Sequence, residues 1–109
     1  MTIKKYMFTL IKQIRECEDM AERNALQVKL DYARAYNNGT LASFRDRMIE
    51  REIGKTYTVG AQIAILYNKD TIPEEYATYQ AYRESCKAKV DAEIATLKAE
   101  LDAAIASTK

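Results

Sequence analysis

The hydrophobic positions of this chain recur at helical spacing along most of its length. Ile3, Met7, Leu10, Ile14, Cys17 and Ala21 follow one another in alternating steps of four and three, the spacing of a heptad seam. Tyr6 and Ile11 widen the seam to one side, and a weaker stripe continues through Ala25, Val28 and Tyr32. Asn37-Asn38-Gly39 then supplies a stop, because Gly or Asn accepts the left-handed conformation that closes a helix. The pattern predicts one helix over about residues 3–36.

Two short helices are expected next. The first covers about residues 41–53, with Thr40 as cap, Leu41, Phe44, Met48, Ile49 and Ile53 as its apolar face, and Gly54 as its end. The second covers about residues 59–67, capped by Thr58, with Val59, Ile63, Leu66 and Tyr67 along one side. The run from Ile63 to Tyr67 also has strand composition, but no other segment offers a strand partner, and a lone strand leaves its backbone groups unpaired. The last helix is expected over about residues 72–107. Thr71-Ile72-Pro73-Glu74 resembles a capping box with proline in the first turn. One ridge of this helix collects Tyr76, Tyr79, Arg83, Cys86, Val90, Ile94, Leu97, Leu101 and Ile105.

The predicted fold is therefore all-α, a single helical domain over residues 1–109. Two long antiparallel helices, about 3–36 and 72–107, carry the two short ones, about 41–53 and 59–67, between them. At the usual rise per residue the long helices each approach about 50 Å. A compact domain of this length has a radius of gyration of about 13 Å and cannot enclose them. Ile3, Met7, Leu10 and Ile14 would face Leu97, Leu101 and Ile105 across a flank that one molecule leaves open. Those seven residues are the expected self-association surface, and a homo-oligomer is the expected state. A kink near Asn24, folding the first helix into a monomeric bundle, is the alternative.

Composition narrows the chemistry. Seventeen basic and sixteen acidic residues leave a net charge of +1, which removes the electrostatic case for sequence-blind binding of nucleic acid or anionic membranes. There is no histidine, so Ser-His-Asp and Cys-His catalysis, HExxH zinc sites and imidazole pH switches are excluded within this chain. The three glycines fit neither a dinucleotide fingerprint nor a P-loop. Cys17 and Cys86, the two thiols, fall in predicted helices and read as reduced, small hydrophobes. No catalytic residues, cofactor or metal site are expected. Lys12 interrupts the short apolar run near the start, and no stretch reaches membrane-spanning length. The expected location is the cytoplasm, with no membrane partner.

Three clusters remain. Glu16, Glu18, Asp19 and Glu22 flank the first seam; without a histidine partner they read as a solvated face. Lys4, Lys5, Lys12 and Arg15 precede any acidic residue and read as the border of a packed helix. Arg45, Arg47, Arg51 and Lys55 form a basic group, with Asp46, Glu50 and Glu52 interleaved. The aromatic usage is unusual, with eight Tyr, two Phe and no Trp. Tyrosine combines contact area with a polar tip and suits interfaces. Tyr76 and Tyr79 lie on or near the last helix's ridge and are expected in the core. Tyr57 and Tyr82, with Arg45, Arg47 and Arg51, are the candidate partner-binding residues.

Between Lys55 and Lys87 the chain carries Ile63-Ala64-Ile65-Leu66, Asp70, Pro73-Glu74-Glu75-Tyr76, Tyr79, Tyr82 and Cys86-Lys87. This third of the sequence resembles small helical proteins of bacteriophages and prophages of Gram-positive bacteria. The resemblance implies a phage origin and brings no catalytic residues with it. The expected function is that of a non-catalytic, oligomerising helical interaction protein of a phage or mobile element, such as a virion-associated or assembly component. The alternative is a phage anti-defence protein, acting as an inhibitor of a host CRISPR or other defence complex or as an oligomeric trap for a nucleotide signal. Its partners would be itself and another protein, with a nucleic acid or nucleotide less favoured.

Overall fold

The computed structural model describes residues 2–107. Among them are five α-helices and no strand: α1 Ile3–Glu16, α2 Met20–Asn38, α3 Leu41–Gly54, α4 Val59–Tyr67 and α5 Pro73–Ala106. The all-α expectation holds, and the bounds of α3, α4 and α5 lie close to those predicted.

The single helix predicted over residues 3–36 is instead two helices. Its interruption is local and chemical. Cys17 leaves helical geometry at φ −86° and ψ 127°, and Asp19 is also extended, at φ −78° and ψ 120°. The Asp19 carboxylate accepts hydrogen bonds from the backbone N–H groups of Ala21 at 2.8 Å and Glu22 at 3.4 Å. An aspartate there satisfies first-turn donors that a continuous helix would have bonded itself, so a new helix start competes successfully with continuation. Asn24, where the alternative reading placed a kink, lies inside α2. Cys17 consequently sits between helices rather than within one. Among the described residues α5 is the one helix of the expected long kind, so it has no equally long partner beside which the expected open flank would run.

The chain divides into two compact units, one running through Phe44 and resuming at Ile94, the other spanning Arg45–Glu93. In the first unit α1 folds back along α2. Residues sharing surface recesses run in opposite order: Lys4 and Phe8 with Asn37 and Asn38, then Ile11 and Ile14 with Leu30 and Gln27. Thr2 caps α1 by accepting from the Lys5 N–H at 3.2 Å. Gly39 closes α2 at φ 73°, and the N–H groups of Gly39 and Thr40 return to the carbonyls of Tyr36 and Ala35. That left-handed turn is why a glycine stands there. Leu10, Leu30, Ala33, Leu97 and Leu101 form the buried interior, with the Tyr32 ring 5.7 Å from that of Phe44. Burial, and then the Glu100 and Asp102 carboxylates respectively, push the Tyr6 and Tyr32 phenols upward. Of the seven expected self-association residues, Leu10, Leu97 and Leu101 are buried inside this unit, and Ile3, Met7, Ile14 and Ile105 are half-buried.

The second unit is built on Ile49, Ile53, Ile65, Tyr79, Cys86 and Val90, all buried. Thr58 caps α4 by accepting from the Ala61 N–H at 3.1 Å. Pro73 opens α5, so Ile72 rather than Thr71 holds the capping position, with its carbonyl accepting from the Tyr76 N–H. The ridge predicted on α5 is its packed side. Tyr79, Cys86 and Val90 are buried in this unit, and Leu97 and Leu101 in the first. Arg45 grips Asp91 with two hydrogen bonds, at 2.7 and 3.2 Å, which holds the Asp91 carboxyl below its ordinary range. Glu52 takes Lys55 at 2.6 Å and Lys89 at 3.1 Å. No helix among the described residues is long and apolar enough to cross a membrane.

Candidate functional site

One helix of the second unit breaks the usual rule of burial. The stripe Val59, Ile63, Leu66 and Tyr67 is exposed to 73%, 62%, 45% and 88%. The helix is apolar nearly all round, yet its one buried residue is Ile65. Scattered apolar surface is ordinary; a contiguous stripe with helical spacing is a candidate contact surface.

Val59, Ile63 and Leu66 of this stripe form one wall of a groove of about 820 Å³, lined by α3, the α3–α4 connection, α4 and α5. Each helix contributes a single face. Arg47, Glu50, Arg51 and Gly54 come from α3 at one-turn spacing; Val59, Gln62, Ile63 and Leu66 come from α4; Tyr79 and Arg83 come from α5. Such spacing is the geometry by which a helix aims one row of side chains in one direction.

The floor is fixed by a network of tyrosines. Tyr79 is completely buried and its hydroxyl donates to Gln62 Oε1 at 2.6 Å. Gln62 Nε2 in turn donates to the Tyr57 carbonyl at 3.2 Å. Tyr57 stands edge-on to Tyr79 at 5.1 Å and tilted against Tyr82 at 5.4 Å. The Arg83 guanidinium lies 5.7 Å from the centre of the Tyr79 ring and donates to its hydroxyl at 3.4 Å, a combined cation–π and hydrogen-bonding position. Arg83 is thereby held in place, half-buried, at the groove.

The sequence candidates divide between groove and scaffold. Tyr57, Arg47 and Arg51 line the groove. Arg47 and Arg51 are exposed, and among the described residues neither forms an ion pair. Arg45 does not line the groove; it is held by Asp91. Tyr82 supports Tyr57 from behind, accepting from the Thr56 hydroxyl at 2.7 Å and donating to the Glu52 carbonyl at 3.2 Å. Sequence reasoning missed Val59, Ile63 and Leu66 as surface and Arg83 as a site residue. The one signal for Arg83 was an arginine within an otherwise apolar ridge.

The groove offers guanidinium donors at Arg47, Arg51 and Arg83, one carboxylate at Glu50, and aliphatic surface. Guanidinium forks suit carboxylates and phosphates; the α4 wall suits apolar side chains. A second, smaller recess of about 510 Å³ in the first unit has Lys4 and Arg34 around an exposed Phe8. Among the described residues no three His, Cys, Asp or Glu side chains gather where a metal ion could be held. Comparison with family models, with curated proteins and with solved structures finds no match to this chain.

Proposed function

We propose that this chain is a non-catalytic, oligomerising helical interaction protein whose docking surface is the α3–α4 groove of residues 45–93. The observation that carries the reading is the exposed Val59–Ile63–Leu66 stripe facing a cationic wall of Arg47 and Arg51. Exposed aliphatic side chains on a folded helix forgo a large part of their burial energy, roughly 1.5–3 kcal/mol for each one fully covered. A protein segment that covers them recovers it, and acidic residues on the same segment reach the guanidinium groups. The resemblance of residues 55–87 supports a setting in a phage or mobile element, as a virion-associated or assembly component.

The test is titration of the full chain with a labelled helical peptide bearing leucines on one face and glutamates beside them, read by fluorescence anisotropy. Binding that weakens with salt and is lost in the Arg47→Glu, Arg51→Glu double variant is expected. Equal binding by the double variant would refute the assignment of the groove. The second reading, an anti-defence trap for a nucleotide signal, draws on Arg47, Arg51 and Arg83 beside Tyr57, since guanidinium groups and an aromatic ring can serve phosphates and a base. A thermal shift with cyclic nucleotides and none with the acidic peptide would favour it.

A further inference from the structure

We infer that the groove of one molecule receives the α1–α2 turn of a second copy, so that the chain assembles head to tail. This rests on the docking reading above and names its occupant.

The groove takes a segment with exposed apolar and acidic side chains, and the chain itself displays one. Where α1 stops and α2 starts, Met20 is 68% exposed. Glu16, Glu18, Asp19 and Glu22 surround it in sequence, all exposed. Arg15 and Arg23 flank this cluster and reduce its charge without reversing it. The groove is the mirror case, with three arginines against the single Glu50. Apolar surface therefore meets apolar surface, and opposite net charges face each other, in a contact between two different patches of the same chain.

The acidic turn is also built to be presented. Asp19 is fixed by its bonds to the Ala21 and Glu22 N–H groups. Cys17 Sγ lies 3.4 Å from the Asp19 carbonyl and 3.7 Å from Glu22 Oε2. These contacts brace the turn, which reduces the ordering entropy lost on docking. A twofold contact of groove with groove is disfavoured, because it would bring the arginines of both copies together. A contact between unlike patches closes into a ring or extends as a filament.

The decisive experiment is light scattering behind a sizing column on the full chain, over a range of concentrations and at low and high salt. The wild type is expected to exceed the monomer mass, more so at higher concentration, and to fall toward monomer in high salt. Two variants reverse one partner each: Glu16→Arg with Glu18→Arg, and Arg47→Glu with Arg51→Glu. All four side chains are exposed, so circular dichroism should show the wild-type helix content in both. Each is expected to weaken association by about tenfold or more. Mixing the two restores it, because each now offers the patch the other lacks. Met20→Ser provides an independent check that leaves charge untouched, with a smaller loss expected. A monomer at every concentration overturns the inference, as does assembly that ignores both reversals or a mixture that stays monomeric. If the monomeric chain still binds the acidic peptide through Arg47 and Arg51, the docking surface stands and only the second copy as occupant is refuted.

Discussion

The two units of this chain treat their apolar side chains differently. In the first, Tyr32 packs against Phe44, and Leu10, Leu30, Leu97 and Leu101 are buried with it. In the second, the interior depends on a tyrosine whose hydroxyl must be satisfied, and an entire apolar stripe of α4 remains outside. The first unit uses most of its hydrophobic pattern for folding, while Phe8 and Met20 stay exposed at 69% and 68%. The second divides its own between folding and a surface, with Tyr79 holding the floor of the groove that the surface borders.

Removing Tyr79 should separate the two units most sharply. Tyr79→Ala deletes a fully buried ring together with its contacts to Tyr57, Gln62 and Arg83. A loss of about 3–5 kcal/mol in urea unfolding is expected. Leu101→Ala, its counterpart in the first unit, creates only an aliphatic cavity and should cost about 2–5 kcal/mol with no effect on peptide binding by the groove. If Leu101→Ala abolished binding while the protein stayed folded, the two units would not divide folding and docking between them. Gln62→Ala removes the acceptor of the Tyr79 hydroxyl bond and should cost about 1–2 kcal/mol, confined to the same network.

Acid should report on the second unit through Glu52. Its carboxyl is held below its ordinary value of 4.5 first by the Lys55 hydrogen bond and then by Lys89, against an opposing effect of burial. A carboxyl depressed in the folded state contributes stability above its unfolded pKa and loses it as pH falls through the folded one. Thermal midpoints measured from neutral pH downward should therefore drop below pH 4.5, and less steeply in Glu52→Gln. Asp91, depressed by Arg45, acts with the same sign. The smallest effect on stability belongs to the exposed stripe. Ile63→Ser should change folding by no more than about 0.5 kcal/mol, yet weaken peptide binding severalfold. A large loss of stability would mean that the stripe is core after all.

Where the pattern was unambiguous, the sequence was readable. The ridge from Tyr79 through Leu101 on α5 is the packed side, because a long helix with one apolar flank has one way to bury it. The break between α1 and α2 was not read, although Asp19 followed by Glu22 is a helix-start signal. The heptad seam from Ile3 to Ala21 runs straight through that signal, and periodicity is blind to a chain that reverses between two helices. The orientation of α4 was not readable for a different reason. A helix apolar nearly all round gives no preference between faces, and which one is buried depends on residues distant in sequence. Tyr57, Arg47 and Arg51 emerged as candidates from residue type alone. Arg83 needed the buried Tyr79 ring beneath it before its position had meaning.

Amide chemical shifts followed by NMR during titration with the acidic, leucine-faced peptide offer the most direct examination of the groove. The largest changes should fall on Arg47 and Arg51 of α3, on Val59, Ile63 and Leu66 of α4, and on Tyr57 between them. Changes centred instead on Phe8 and Arg34, or spread without a focus, would contradict the assignment of the α3–α4 groove as the docking surface.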